Sequence, residues 1–369
     1  MSLSHLLSKF QEMFIYYGMP AVTFYQLLCS NLFLNTAAED AKGLERAGDV
    51  LLTPYRYLFA GKVAFLTDTE YQYDFKQNYT YDDALFFKTG GAILALPFSL
   101  PLGCVLKGCA LLFEKGQAHR HALQRAWTAS YVVSNHARYQ ALGIDVDNDS
   151  PSSKLCSKGY ARRPGDEKHL NEAKTAFFEI LHLLQKNQIL CWADCGTCLG
   201  AYRYGGIIPW DNDFDIAILE PDFCNMKRIL NQLDSSLYFV EDWSNRLFPN
   251  TYVRVYIRST RQYIDIYTYA IEEREKMIRY ICSNIHNMFM REGWKINERR
   301  YTIPTPFALV FPLRLADFEG EEIPIPNQTE KYLQMRYGEN LSPVKVFNAE
   351  TNSYEKDLSH PYWQRLHAH

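Results

Sequence analysis

An α/β fold of the α+β kind is what this sequence predicts for residues 167–345, with a mainly helical region, 1–144, ahead of it. Three observations carry that expectation. Apolar residues recur at helical spacing from Leu170 onward, several short runs of β-branched and aromatic residues alternate with period two, and the two patterns interleave along the chain. The composition, 47% hydrophobic and 22% charged, suits a packed chain, and 369 residues suffice for one large domain or two ordinary ones.

The first 88 residues read as helices and loops rich in Phe, Tyr and Leu. An uncharged run extends from Thr89 to Leu106 and, after Lys107, a second apolar stretch reaches Phe113. Eighteen residues make a helix of roughly 27 Å, close to the ~30 Å hydrocarbon thickness of a bilayer. Pro97 and Pro101 argue for a bend, so the segment 89–113 reads as a spanning helix, a hairpin dipping into one leaflet or a buried core hairpin. Lys115, Arg120 and Arg125 lie after it, whereas Lys88 before it is opposed by Asp82 and Asp83, so a spanning segment would leave the C-terminal two-thirds of the chain in the cytoplasm. The N-terminus has no basic stretch ahead of its apolar residues, so no cleaved signal peptide is expected.

Residues 145–166, dense in Ser, Pro, Gly and charge, read as a linker. Asp145, Asp147 and Asp149 imitate the opening of a calcium loop, but Ser150 and Cys156 stand where its Gly and bidentate Glu belong. Beyond the linker, Leu170, Ala173, Phe177, Ile180, Leu181 and Leu184 share one helix face. "ILCWA" reads as a strand, "TCLGAYRYG" as a helix, "DFDIAIL" as a strand and "PDFCNMKRILNQL" as a helix. "TYVRVYIRS" and "QYIDIYTYA" read as neighbouring strands, and Glu272–Tyr280 as a charged helix face. Residues 346–369 form a C-terminal tail.

Chemistry concentrates in "CWADCGTCLGAYRYGGIIPWDNDFDIAIL". Its cysteines have the C-x3-C-x2-C spacing of an iron–sulfur site, yet Cys191 lies in an apolar strand pattern and Cys195 and Cys198 bracket a strand-to-helix turn. Nine Cys, several inside apolar runs, suit a reducing compartment better than a disulfide framework. The aspartates demand more. Asp213 and Asp215 stand two apart on a strand, so both carboxylates point to one face and repel unless a cation neutralises them. Asp265 sits in the middle of another apolar strand, where an unpaired charge is costly. Three carboxylates on neighbouring strands would make an all-oxygen site suited to Mg²⁺ or Mn²⁺. Gly196 and Thr197 open a helix where backbone N–H groups favour an anion.

These residues resemble the LicD/fukutin family of the nucleotidyltransferase superfamily, whose pattern runs G-T-L-L-G-A-x-R-x-x-G-x-I-P-W-D-x-D-x-D-I. "FPLRLADFEGEEIPIPNQTEKYLQMRYGENL" resembles that family's closing segment, so the likeness covers about residues 168–342. Cys198 and Tyr202 depart from the pattern without touching an expected ligand. The resemblance implies a polymerase-β-like fold, a small mixed sheet flanked by helices. It implies metal ligation by Asp213, Asp215 and Asp265, and donor phosphate binding by Gly196 and Thr197. Arg203 could pair a phosphate, while Trp210 and Asp211 would brace the ligand strand from behind. Arg254 and Arg258, four apart, are phosphate-neutralising residues or an exposed basic face.

By the same likeness the chain would move a phosphorylated alcohol, phosphocholine-like, from a CDP-activated donor to a hydroxyl of a glycan such as lipopolysaccharide, with Asp265 taking the acceptor's proton. Nucleotidyl transfer to a hydroxyl, or an inactive membrane-associated interaction protein, are the alternatives. A net charge of -3 gives no reason to expect nucleic acid. A cytoplasmic catalytic domain, membrane-associated through 89–113, is the expected arrangement.

Overall fold

The computed structural model describes residues 43–60, 62–66, 71–75, 85–113, 134–146, 154–163, 165–244, 250–282, 285 and 291–365. The expectations about the N-terminal leader, the basic flank at 115–125 and most of the acidic run at 145–149 fall outside them.

In the N-terminal region, helix α1 (Gly43–Leu51) continues through short helical turns to Ala60 and packs against the 29-residue α2 (Leu85–Phe113). Between them lies an antiparallel hairpin, β1 (Lys62–Leu66) and β2 (Tyr71–Phe75), where helix or loop was expected. Helix α2 runs unbroken through Pro97 and Pro101, so of the three readings of this segment the two hairpins are ruled out and the continuous helix remains. The apolar turns on either side carry the helix past the N–H groups that the prolines lack. A short α3 (His136–Ala141) comes next; Tyr139 on it and Asn135 before it both donate to buried Asp222, tying this segment to the main domain.

That domain is built on one mixed sheet. Its strands are β3 (Cys191–Ala193), β4 (Asp213–Leu219), β5 (Tyr238–Asp242), β6 (Tyr252–Ile257), β7 (Tyr263–Glu272), β8 (Met277–Tyr280) and β9 (Thr305–Pro306). The order is β3-β4-β7-β6-β5, with β8 joining the far half of β7 and β9 joining β8. Only β4 and β7 run parallel; the other pairs are antiparallel. Ile216, Ile218, Val253, Val255, Ile264 and Ile266 are fully buried on one face of the sheet, while Asp215, Asp265 and Arg254 share the opposite face.

Helix α4 (Asn171–Lys186) lays its predicted face, Leu170 through Leu184, across β4, β6 and β7. Phe177 stacks on Phe214 at 5.0 Å, joining helix to sheet. Helix α5 (Cys195–Tyr204) comes directly after β3, and α6 (Phe223–Leu230) buries Phe223, Met226, Ile229 and Leu230 as its spacing predicts. Glu272–Tyr280, expected as a helix, is instead the end of β7, a turn and β8. Buried Ile278 and Tyr280 alternate with exposed Arg279, a strand period that the surrounding charges obscured.

The remainder consists of α7 (Glu292–Arg299), α8 (Phe307–Val310), the hairpin β10 (Arg314–Phe318)–β11 (Glu321–Ile325), α9 (Thr329–Tyr337) and a last hairpin, β12 (Lys345–Asn348)–β13 (Ser353–Lys356). Two stretches expected to be loose are fastened down. Residues 154–163 of the linker pair with β10 at Leu155 and donate backbone N–H groups of Lys158 and Tyr160 to Tyr202 and Arg203 on α5. The C-terminal tail forms most of β12–β13, and Tyr354 on it hydrogen-bonds Asp166 and packs on Trp210 at 5.3 Å.

Candidate active site

Parallel pairing of β4 with β7 sets Asp215 directly beside Asp265, and Asp213 shares the face of Asp215. One carboxylate oxygen from each of the three lies within 4.8 Å of the others. Oxygens bound to one octahedral Mg²⁺ at ~2.1 Å stand up to ~4.2 Å apart, so a small side-chain closure brings all three into reach of one ion. Burial holds the Asp213 and Asp215 carboxyls well above the usual carboxylate range, and the charges on neighbouring acids add to it. Asp211 is raised too, by burial. This is a cluster short of positive charge, and the donor set fits a hard divalent cation.

Asp265 already has a partner. Arg254, across the β6–β7 pair, donates Nε and Nη2 to its two oxygens at 2.6 and 2.7 Å, with both side chains buried. Arg254 is therefore not an exposed basic residue; it neutralises one aspartate and leaves the trio with a negative charge that one divalent cation would balance. Arg258 lies past the end of β6 and donates to the Ser235 carbonyl.

The helix start that faces the aspartates is held from below. Asp194 caps α5 by accepting from the Cys195 N–H, and its two oxygens also accept Tyr332 and Tyr269 hydroxyls at 2.6 and 2.5 Å. Arg336 donates to Tyr269, which completes a buried network. Cys195 sits in the left-handed region at φ 42, a strained conformation at the head of the helix. Gly196 has to be glycine for space: a Cβ there would stand 2.5 Å from an Asp211 oxygen. Its N–H donates to Asp215, and the Thr197 hydroxyl accepts from the Asp215 backbone N–H. In this state both groups bind the ligand strand rather than an anion.

Arg203 corrects an expectation. Its guanidinium is buried and donates to the carbonyls of Leu341 and Ser342, so it braces the segment leading to β12 instead of reaching the cleft. Seven residues are two helical turns, so Arg203 keeps the face of Gly196 but lies ~10.5 Å farther along α5, away from the residues that line the cleft. Burial also settles the cysteines. It pushes the Cys191 thiol up to about 12 and those of Cys195 and Cys198 well above their ordinary value, and among the described residues the three sulfurs do not converge as a ligand group.

The aspartates open onto a cleft of about 800 Å³. Trp210 and Asp211 line it, as do Gly196 and Tyr263, and cations enter from parts of the chain that no motif marked. Arg300, just after α7, lies on the rings of Tyr301 and Tyr337 and donates to the Tyr301 hydroxyl, and its Nε is buried without a hydrogen-bond partner. Lys345, the first residue of β12, stands 5.7 Å from the Trp210 ring and makes no ion pair among the described residues. Burial lowers its pKa, aided by Lys356 and opposed by Asp211. Glu298 on α7 lines the same wall, its carboxyl pushed up to about 7 by burial.

Comparison with known proteins agrees with this geometry. Residues 188–328 match the family model described as LicD/FKTN/FKRP, nucleotidyltransferase domain. An uncharacterized protein of Rickettsia typhi is 31% identical over 119 residues, which cover 32% of this chain and 35% of that protein. One of Rickettsia prowazekii is 37% identical over 103 residues, 28% of this chain and 34% of its own. Ribitol 5-phosphate transferase FKRP of Homo sapiens is 22% identical over 238 residues, 61% of this chain and 44% of the human protein. In each case the match spans less than half of the relative's length. Both aspartates of β4, the Asp265 strand and the β10–β11 turn fall inside the matched segment, which is similar to the nucleotidyltransferase domain of the LicD/FKTN/FKRP family over residues 188–328, less than half of the chain.

Proposed function

We propose that the chain is a metal-dependent transferase that moves a phosphorylated alcohol from a CDP-activated donor to a hydroxyl of a glycan or similar acceptor. The carrying observation is the convergence of Asp213, Asp215 and Asp265 within 4.8 Å at the floor of a cleft that also holds Arg300 and Lys345. The family match and the likeness to a ribitol 5-phosphate transferase support a phosphate-transferring activity. Asp213, Asp215 and Asp265 would hold Mg²⁺ or Mn²⁺, which would screen the donor pyrophosphate and stabilise charge on the attacking and leaving oxygens. Arg300 and Lys345 meet the same phosphates from the opposite wall.

In the reaction so read, the acceptor oxygen bonds to the phosphorus that carries the head group, the bond from that phosphorus to the bridging oxygen breaks, and CMP departs with the oxygen. Glu298 takes the acceptor's proton in place of the expected Asp265, both of whose oxygens are engaged by Arg254. The domain works on the cytoplasmic side of a membrane that holds α2.

Incubation with CDP-choline or CDP-ribitol labelled in the head group, Mg²⁺ and a glycan acceptor tests the reading. Labelled acceptor and free CMP are expected, and EDTA is expected to stop both. Labelling of the acceptor by the nucleotide half, or from CTP, would assign nucleotidyl transfer instead.

A further inference from the structure

The helices of the N-terminal region pack inside out. On α2, Ala92, Ser99, Gly103 and Ala110 recur at intervals of seven, four and seven and are buried, while Leu94, Phe98 and Leu112 are each more than three-quarters exposed. Small and polar side chains turn toward α1 and large apolar ones face outward, the reverse of a helix pair solvated by water. Within that seam one carboxylate holds two cations. Asp49 Oδ1 accepts from Arg56 Nη2 at 2.5 Å and from Lys107 Nζ at 2.6 Å. The Asp49 side chain is 2% exposed and those of Arg56 and Lys107 are each 31% exposed, so the anion lies underneath and the cations lie outermost.

We propose that Arg56 and Lys107 bind the phosphate of one anionic phospholipid, whose acyl chains run along the exposed side of α2. The proposal rests on the membrane placement of α2 given above and is independent of the transfer chemistry.

Charge supplies the first argument. Two cations against one carboxylate leave a single positive charge, and Glu45 and Arg46, one turn earlier on α1, cancel in sign. An ammonium has three donor hydrogens and a guanidinium five, and among the described residues each gives Asp49 one bond. A charge left over beside lipid is costly unless an anion meets it.

Depth supplies the second. Lys88 and Lys107 bound the uncharged run of α2 and stand nineteen residues apart, ~28 Å of helix, near the ~30 Å thickness of the hydrocarbon layer. Lys107 is thereby set at the level of the lipid phosphates. Asp49 meets Lys107 while Leu52 meets Gly103, so α1 runs antiparallel to α2 and Arg56 is rooted deeper. Its side chain stretches back along α1 to Asp49, as a long cation does when it snorkels. The arrangement is also built into the backbone: a Cβ on Gly48 would stand 2.5 Å from Lys107 Cγ, so glycine clears the path of the lysine stem across α1. Leu102 and Val105, in the preceding turns of α2, are both more than half exposed. They offer apolar surface that acyl chains cover and a soluble phosphate would not.

Native mass spectrometry of the intact chain tests the site. The chain is released from detergent in the presence of equimolar phosphatidylglycerol and phosphatidylcholine of one acyl length; in the second lipid an ammonium already balances the phosphate. One retained phosphatidylglycerol is expected, favoured about fivefold, the effect of one cation at an anionic surface. Lys107→Gln leaves the group neutral and is expected to bring the two lipids level. Asp49→Asn raises it to two positive charges and is expected to keep or widen the preference. A purely structural ion pair would lose lipid in both variants, and that outcome overturns the proposal, as does a folded Lys107→Gln chain with the parent's preference. The parent comparison needs no variant: equal retention of the two lipids overturns the phosphate site while the membrane placement stands. With inorganic phosphate added as competitor, a phosphate adduct in place of the lipid overturns the lipid assignment. A chain that stays monodisperse without detergent and keeps neither lipid overturns the placement and the site together.

Discussion

Asp213 and Asp215 cost the fold free energy for the sake of a ligand. Burial and mutual repulsion raise both carboxyls, so above their ordinary range each is harder to ionise in the folded chain than in the unfolded one. Asp213→Asn is therefore expected to raise Tm at pH 8 without metal, to abolish the further rise that 10 mM Mg²⁺ gives the parent, and to cut turnover by about a thousandfold or more. Calorimetric scans with and without Mg²⁺ check the first two, and loss of Tm together with activity would mark the residue as structural. Glu298 behaves likewise in a pH window that can be stated. Its folded pKa of about 7 lies above the value of 4.5 for a free glutamate, so its contribution to stability falls as pH rises from about 4.5 to 7 and then stays level. Glu298→Gln should stabilise the chain by about 3 kcal/mol at pH 8 and by less than about 1 kcal/mol at pH 5, because each pKa unit of the rise corresponds to ~1.4 kcal/mol. A Tm difference that is constant from pH 5 to 8 would contradict the assignment.

At the scale of elements, the site joins a part legible in sequence to a part that was not. Two aspartates at spacing two, and a third in an apolar strand, announce themselves because strand geometry fixes where such side chains point and burial makes the charge conspicuous. The helix faces of α4 and α6 were legible for the same reason. Arg203 misled because it shares the helix face of Gly196 but lies two turns, ~10.5 Å, farther along α5, where it meets the 341–342 backbone. Arg300 and Lys345 carry no local signature, since their relation to the aspartates is purely tertiary. The C-terminal hairpin is the clearest instance. Read as a tail, it instead seats Tyr354 on Trp210 and brings Lys345 to the cleft. Lys345→Ala is expected to weaken Mg²⁺-dependent CDP binding about tenfold with Tm within a degree or two of the parent. Arg203→Ala should do the reverse, lowering Tm by several degrees and leaving CDP affinity in the folded protein near the parent value. Isothermal titration beside thermal scans separates the two, and a drop in CDP affinity for the Arg203 variant would restore it to the phosphate site.

On the scale of the whole chain, α2 sets a condition that the catalytic domain does not. A helix that is apolar all round has to be enclosed, by protein or by lipid. Here 27 residues, Phe86–Leu112, have a mean hydropathy of 1.7, and only 17% of the most apolar stretch is buried. Phe86, Leu94, Phe98 and Leu112 are each more than three-quarters exposed. At 1.5 Å per residue the segment is ~40 Å long, enough to cross a ~30 Å hydrocarbon layer with tilt. Its charges are dealt with internally: Lys107 meets Asp49 on α1 at 2.6 Å, Arg56 meets the same carboxylate at 2.5 Å, and Lys88 is buried. The contact between the two helices is also of the kind that lipid favours. Gly48 and Gly103 bring the backbones so close that a Cβ on either would come within 3.2 Å of the other's carbonyl oxygen. Lipid enclosure of α2 predicts that the intact chain stays in the membrane pellet through alkaline carbonate and floats with vesicles of neutral phospholipid at high salt, because apolar burial rather than charge would hold it. Leu94→Glu with Phe98→Glu should move the chain to the soluble fraction while turnover of a water-soluble acceptor stays at the parent level. Recovery of the parent chain as a soluble species in carbonate would mean that another protein surface encloses the helix, and the membrane placement would fail while the aspartate site stood.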